Sequence, residues 1–122
     1  AVKFGKNVTT IGNEAFYKCT SLTKVTIPSK VKTIDKSAFE GCKKLKSVTI
    51  GKSVTQIGAK AFYGCSKLKT LTIKSAKLKK IGSKAFGKTP KKITVEVPKK
   101  KFKAYKSMLI KRGVNKKACF MK

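Results

Sequence analysis

"IGNEAFYKC" (residues 11–19) recurs with little change as "IDKSAFEGC" (34–42) and "IGAKAFYGC" (57–65), and more loosely as "IGSKAFGKT" (81–89). The copies begin 23, 23 and 24 residues apart, and the extra residue of the last step lies within "KSAKLKKIG" (74–82). Isoleucine, alanine and phenylalanine keep their places in all four copies, and cysteine keeps its place in the first three. Such a fixed period predicts stacked coils that bury equivalent side chains against one another.

Each repeat also contains a short alternating stretch, as in "LTKVTIP" (22–28), which is typical of a strand with one buried face. We therefore expect five parallel strands, about 4.8 Å apart, along one face of the molecule. Their apolar pairs are Val2/Phe4, Val25/Ile27, Val48/Ile50, Leu71/Ile73 and Val95/Val97.

The opposite face carries the Ala-Phe-Cys columns, whose spacing in "GNEAFYKC" predicts a turn or a single helical or 3-10 turn. Gly12, Gly58 and Gly82 are expected at left-handed corners, and Asp35 stands in the same column because Asp tolerates that conformation. The period lies within the range of leucine-rich repeats, about 20–29 residues. The sequence thus predicts a repeat solenoid over residues 1–98, with about four repeats, followed by a separate segment over 99–122.

The motif "IGxxAFxxCxxLxxVxIPxxVxxIGxxAF", seen best over residues 11–39, resembles the BspA-like leucine-rich repeats of bacterial cell-surface proteins. The resemblance covers residues 1–98, and Thr89 and Pro90 depart from it, which indicates that the array is ending. It implies a secreted or cell-surface protein whose repeats contact host or neighbouring-cell macromolecules.

The segment after residue 98 predicts a capping helix and a basic tail. Pro98 can open the helix and Gly113 can close it, while Phe102, Tyr105 and Leu109 form one apolar stripe. The stripe suits a cap over the last coil, and a basic amphipathic helix for an anionic partner or membrane surface is the alternative. At the other end no cap is visible, so we expect further repeats before residue 1 in a longer parent protein.

The chain has 32 basic residues, four acidic residues and a formal net charge of +28. Such a charge attracts polyanions, although many of the lysines could simply solvate a small domain. Arg112 is the only arginine, and lysine is a hydrated point charge without arginine's bidentate geometry, so diffuse attraction is expected more than base-specific recognition. No run of 18 apolar residues is present, so no transmembrane segment is expected.

Catalytic and metal sites are not expected. The chain has no histidine to act as a general base or to complete a zinc site, and its acids are not paired as glycoside hydrolysis requires. We therefore predict no enzyme activity, no metal and no cofactor. The cysteines are expected as free thiols, with Cys19, Cys42 and Cys65 reacting slowly and Cys119 reacting faster.

The exposed side of the strands is the candidate ligand face. Hydroxyl-rich columns edged by lysine could hydrogen-bond a polar polymer lying along the array, although threonine also suits half-exposed strands for structural reasons. The candidate residues are Lys24, Thr26, Ser47, Thr49, Thr70, Thr72, Lys74 and Thr94.

Two functions from different classes follow, and a third alternative remains. The first is an extracellular or cell-surface adhesion module, a monomer that binds proteins, anionic glycans or wall polymers. The second is a nonspecific nucleic-acid-binding protein, for which the charge fits but arginine and stacking aromatics are lacking. The third is a structural spacer within a larger surface protein.

Overall fold

The structure, a computed structural model, describes residues 3–122. The chain winds through stacked coils that contribute to two sheets, in which every strand pair is parallel. In chain order the strands are β1 (Thr10–Ile11), β2 (Lys24–Thr26), β3 (Thr33–Ile34), β4 (Ser47–Ile50), β5 (Gln56–Ile57), β6 (Thr70–Ile73), β7 (Lys80–Ile81), β8 (Thr94–Glu96) and β9 (Cys119–Met121).

The five-stranded sheet has the order β2-β4-β6-β8-β9, and the four-stranded sheet has the order β1-β3-β5-β7. The predicted strand at Val2/Phe4 is not supported, because Phe4 lies outside any strand, and Val2 lies outside the described residues. The fifth strand is instead β9, within the segment predicted as a basic tail. The four-stranded sheet was not predicted, since strands of two residues are too short to show an alternation.

Turns form the wall that carries the Ala-Phe-Cys columns, which confirms one of the predicted alternatives. Ala15 N donates to Gly12 O at 3.2 Å and Cys19 N donates to Phe16 O at 3.1 Å, so these bonds close turns within one coil. The intervening Phe16 N donates to Ala38 O of the next coil at 2.8 Å. Alternate N–H groups thus close the turns and join the coils, which satisfies the backbone without a helix.

The predicted left-handed corner at Gly12, Gly58 and Gly82 is wrong, because none of these glycines has a positive φ. Asp35, predicted in the same column, has none either. At Gly58 and Gly82 the glycine has a different reason, which is the close approach of the preceding coil, whereas a Cβ at Gly12 would meet no atom within 4 Å. A Cβ at Gly82 would lie 2.3 Å from Ala59 N, and a Cβ at Gly58 would lie 2.5 Å from Lys36 N. Positive φ occurs instead in two later columns of the turn wall, Glu14/Ser37/Lys60/Lys84 and Lys18/Gly41/Gly64/Lys88.

The core is a set of ladders along the axis of the solenoid. The rings of Phe16, Phe39, Phe62 and Phe86 stack in sequence with centroids 5.1, 5.2 and 5.3 Å apart. The isoleucine, alanine and cysteine columns run beside them and are fully buried in the middle coils. Each coil therefore forms part of its neighbour's core, as repeat architectures require.

The predicted C-terminal helix is confirmed. A 3-10 turn over Lys99–Lys101 leads into α1 (Phe102–Lys111), and Gly113 follows with a φ of +120°. From the predicted stripe, Tyr105 and Leu109 are buried, while Phe102 is half-buried. α1 therefore packs against the core with its apolar side, and the chain then returns to the five-stranded sheet as β9.

Candidate binding face

The eight predicted face residues lie together on the five-stranded sheet or directly after it. The strand register pairs Lys24 with Ser47, Ser47 with Thr70, and Thr70 with Thr94. A second column runs through Thr26, Thr49, Thr72 and Glu96 in the same register. We call this surface the threonine face, defined by Lys24, Thr26, Ser47, Thr49, Thr70, Thr72, Lys74 and Thr94.

Alternation within each strand is what turns these hydroxyls outward. Val48 and Ile50 are fully buried, and Thr49 between them is half-buried on the other side of β4. Because the strands are parallel and in register, each coil presents a hydroxyl about 4.8 Å from the last one. The result is a regular array of donors and acceptors on a rigid support.

The face extends beyond the predicted residues at its C-terminal end. β9 places the exposed Cys119 next to Thr94 and the exposed Met121 next to Glu96. Sequence reasoning missed these two residues, because they belong to no repeat and a three-residue alternation around Phe120 is too short to recognise.

A discontinuous groove runs along the carboxyl ends of the strands. It consists of three hollows of about 300, 320 and 330 Å³, and the Lys74 side chain lines all of them. Lys52 lines two of the hollows, and Lys77 lines one. These two lysines were not among the predicted site residues, since only the folded loops bring them beside the sheet.

The charge on this side of the molecule is almost entirely positive. Between Glu40 and Glu96 the chain carries no acidic residue, and Glu96 is the only acid in the two face columns. Glu40 lies on the turn wall, where its side chain accepts a hydrogen bond from Ser37 Oγ at 2.6 Å. The face and its groove therefore combine neutral hydroxyls and lysine ammonium groups with the single carboxylate of Glu96, which lines one hollow, and this net positive pattern suits polar anionic ligands.

The buried thiols lie away from the threonine face. Burial raises the pKa of the Cys42 thiol to about 11 and that of the Cys65 thiol to about 12, so both are protonated at neutral pH. All four cysteines lie within residues 3–122 as free thiols, and no disulfide joins them there. The same residues contain no group of three or more His, Cys, Asp or Glu side chains placed to share a metal ion.

Two tyrosine rings on the turn wall each lie close to a lysine ammonium group. Tyr17 is exposed and Tyr63 is half-buried, and each ring has a lysine Nζ 5.2 Å from its centroid, from Lys18 and Lys60 respectively. A sugar stacking on the ring face that the lysine covers would have to displace that ammonium group.

Within the described part of the chain, no helix combines the length and apolar character needed to cross a bilayer.

Comparison with known proteins identifies the repeat. The "BspA type Leucine rich repeat region" family matches residues 1–111 in six copies. A leucine-rich repeat protein from Bacteroides capillosus ATCC 29799, solved at 2.00 Å, is similar with 34% identity and a TM-score of 0.66, and the match covers 75% of this chain. A leucine-rich repeat protein from Bacteroides ovatus ATCC 8483, solved at 1.19 Å, is similar with 41% identity and a TM-score of 0.65 over 74% of this chain.

The chain corresponds to 64% of the first of these structures and to 24% of the second. No curated protein matches the chain. The family match, the coil period and the two parallel sheets agree, and the chain belongs to the BspA-type leucine-rich repeat family.

Proposed function

We propose that the chain is a non-enzymatic adhesion module of the bacterial cell surface that binds extended anionic macromolecules across the threonine face. The observation that carries this proposal is the in-register pair of hydroxyl columns beside a groove lined by Lys52 and Lys74. Acidic proteins, sulfated glycans and anionic wall polymers have the chemistry to fit it.

Family membership supports the coarser part of the proposal. Leucine-rich repeats are an interaction fold and are generally non-enzymatic, and the BspA-type family is typically associated with bacterial surfaces. Both similar structures are bacterial leucine-rich repeat proteins. Since a repeat array offers the same contact at each coil, affinity for a polymer is built from several weak contacts rather than one deep pocket.

Lysines and hydroxyls have different roles in the proposed binding. Lys24, Lys52 and Lys74 attract an anion over a distance and speed its association, but this contribution weakens as salt rises. The hydroxyls of Thr49 and Thr72 hydrogen-bond at short range and so discriminate between ligands of equal charge. A specific ligand should therefore keep more of its affinity at high salt than a simple polyanion keeps.

Nonspecific binding of nucleic acid is the second candidate, and the net charge of +28 favours it. Single-stranded nucleic acid is generally bound through aromatic side chains that stack on bases. The threonine face contains no aromatic residue, so we expect DNA to bind through its phosphates alone and to dissociate readily as salt rises. A purely structural spacer would bind no ligand with a preference.

The test measures binding of a sulfated glycan, a teichoic-acid polymer, an acidic glycoprotein and duplex DNA at about 50 and 200 mM NaCl. The variant Thr49→Val/Thr72→Val removes two face hydroxyls while keeping the branched side chains. The matched control, Thr10→Val/Thr33→Val, makes the same change on the four-stranded sheet.

We expect one ligand class to keep its affinity at the higher salt and to lose it in the face variant but not in the control variant. The proposal is wrong if every ligand weakens together with salt and the two variants behave alike, because charge alone would then explain the binding.

A further inference from the structure

A basic cavity that is open to solvent lies between β7 and α1, apart from the threonine face. Its volume is about 300 Å³, and its cationic lining comes from Lys79, Lys80, Lys111 and Arg112. Arg112 is the only arginine of the chain and its side chain is half-buried. Two of these cations come from the solenoid and two from the end of the helix, so the cavity exists only where the two elements meet.

Buried contacts fix the two walls of the cavity relative to each other. The Tyr105 hydroxyl of α1 donates to Ser75 O at 2.8 Å and accepts from Leu78 N at 3.0 Å. Ser75 Oγ in turn donates to Val54 O of the preceding coil at 2.6 Å. These bonds hold the loop that contains the extra residue of the last repeat step, and this loop leads directly into Lys79 and Lys80.

The backbone also fixes the position of Arg112. Its carbonyl accepts a hydrogen bond from Phe86 N at 2.9 Å, and Phe86 is fully buried. The next residue, Gly113, has a φ of +120°, and a Cβ there would lie 2.5 Å from Gly87 N. The arginine is therefore presented from a well-determined point of the fold, which reduces the ordering cost of binding.

The positive charge of the solenoid wall increases where it faces the helix. Lys80 follows Thr10, Thr33 and Gln56 in its column, and Lys79 follows Thr9, Lys32 and Thr55 in the adjacent one. Two cations at these positions therefore occur only in the last coil. The positive charges of Lys111 and Arg112 are stabilising at the C-terminus of α1, because the negative end of the helix dipole lies there. That role does not account for Lys79 and Lys80, which belong to another element and add to the repulsion among the four cations.

We infer that this cavity binds a small ligand carrying a multiply charged phosphate or sulfate group. Arg112 offers a bidentate fork for such a group, while the lysines add charge and Ser107, also in the lining, adds a hydroxyl. The half-buried Met108 provides an apolar surface for the remainder of the ligand. The volume lies at the lower end of the range for ligand pockets, about 300–1,000 Å³.

The site stands apart from the proposed function, because it lies at the four-stranded sheet and the helix rather than on the threonine face. Loss of polymer binding in the face variant would leave it unaffected.

Titration calorimetry of the chain with inorganic pyrophosphate and with inorganic sulfate, at about 150 mM NaCl, tests the inference. We expect one ligand per chain. Lys79→Gln/Lys80→Gln should weaken binding by about tenfold or more, because charged hydrogen-bond partners are lost. Lys99→Gln/Lys100→Gln, which removes the same charge from the 3-10 turn outside the cavity, should change affinity by less than about twofold.

Arg112→Lys keeps the charge but removes the bidentate fork, and it should weaken binding by about threefold or more. A readout that needs no variant is the movement of the amide NMR signals of residues 79–81 and 107–112 on titration of the unmodified chain. Inorganic phosphate is titrated as well, because it is tetrahedral like sulfate and similar to it in charge. Stronger binding of phosphate than of sulfate identifies a phosphorylated ligand, and the reverse order identifies a sulfated one.

Binding that does not saturate by about 10 mM would overturn the inference, since it would exceed the millimolar range of weak specific sites. Equal loss of affinity in the two lysine variants, or NMR shifts spread over the whole chain, would overturn it as well.

Discussion

Equivalent repeat positions are buried to different extents at the two ends of the described array. In the coil that begins at Ile11, Ala15 is exposed and Phe16 is half-buried. In the coil that begins at Ile81, the equivalent Ala85 and Phe86 are both completely buried. The side chains are the same, so the difference lies in what covers them.

The C-terminal end is covered by residues that do not repeat. Leu109 and Val114 are buried there, and the Arg112 carbonyl accepts the Phe86 N–H at 2.9 Å, as the Ala85 carbonyl accepts the Phe62 N–H at 2.8 Å one coil earlier. α1 and its flanking residues thus reproduce a backbone contact of the next coil without its sequence. Repetition stabilises the interior of a solenoid, whereas an end requires different residues that provide equivalent contacts.

Thiol reactivity should show the largest contrast between the interior and the ends. Alkylation under native conditions at pH 8 should modify Cys119 first and the half-buried Cys19 next. Cys42, with a pKa of about 11, is ionised in roughly one molecule in a thousand at that pH, and Cys65 is ionised still less. Mass spectrometry of timed samples checks the order, and four equal rates would contradict the buried ladder.

Removal of one phenylalanine ring should separate the middle from the less covered end. Phe62→Ala removes a ring stacked on both sides and should lower the free energy of unfolding by about 3–5 kcal/mol. Phe16→Ala should cost clearly less, because Phe16 is half-buried. Denaturant unfolding of both variants measures the difference, and equal costs would mean that the first coil is covered as well as the middle one.

The glycine column gives a similar contrast through close backbone contact. Gly82→Ala places a methyl group 2.3 Å from Ala59 N, and we expect a loss of about 1–3 kcal/mol or more as the coils are forced apart. Gly12→Ala has no atom within 4 Å of the added carbon, so it should be neutral or slightly stabilising. Thermal unfolding of the two variants, compared with the parent chain, tests this. A loss at Gly12 as large as at Gly82 would be inconsistent with the close approach of the coils.

The smallest effect concerns the hydroxyl that attaches the helix to the array. Tyr105→Phe leaves Leu78 N and Ser75 O without their buried partner and should cost about 1–3 kcal/mol. Tyr17→Phe is the control, because the Tyr17 ring is exposed. If both variants unfold at the same denaturant concentration, the Tyr105 hydroxyl does not stabilise the end of the array.

The repeat columns could be predicted because each of them occurs three or four times in the sequence. The register of Thr26, Thr49 and Thr72 follows directly from the 23-residue step, and the structure reproduces it. β9 could not be predicted in this way, since Cys119 and Met121 have no counterpart in another copy. The left-handed corners were misassigned for a related reason. Glycine suggests a positive φ, but at Gly82 it reflects the approach of a neighbouring coil.

The repeat pattern of the sequence predicted only part of the candidate site. The eight residues of the threonine face alternate with buried residues or directly follow a strand, and their role in binding stays a prediction. Lys52 and Lys77 join the groove only through the shape of their loops. The division of the chain at residues 98 and 99 likewise remains a proposal, although α1 begins shortly after it.

The sequence by itself determined the period, the buried columns, the outward hydroxyls and the excess of lysine, because each of these depends on residue type and on spacing along one coil. The tertiary structure decided how the array ends and which cations converge. Lys79 and Lys80 lie about 30 residues before Lys111 and Arg112, and a buried tyrosine hydroxyl and a backbone hydrogen bond hold the two pairs around one cavity. Contacts between segments that do not repeat leave no period in the sequence, so only the folded chain reveals them.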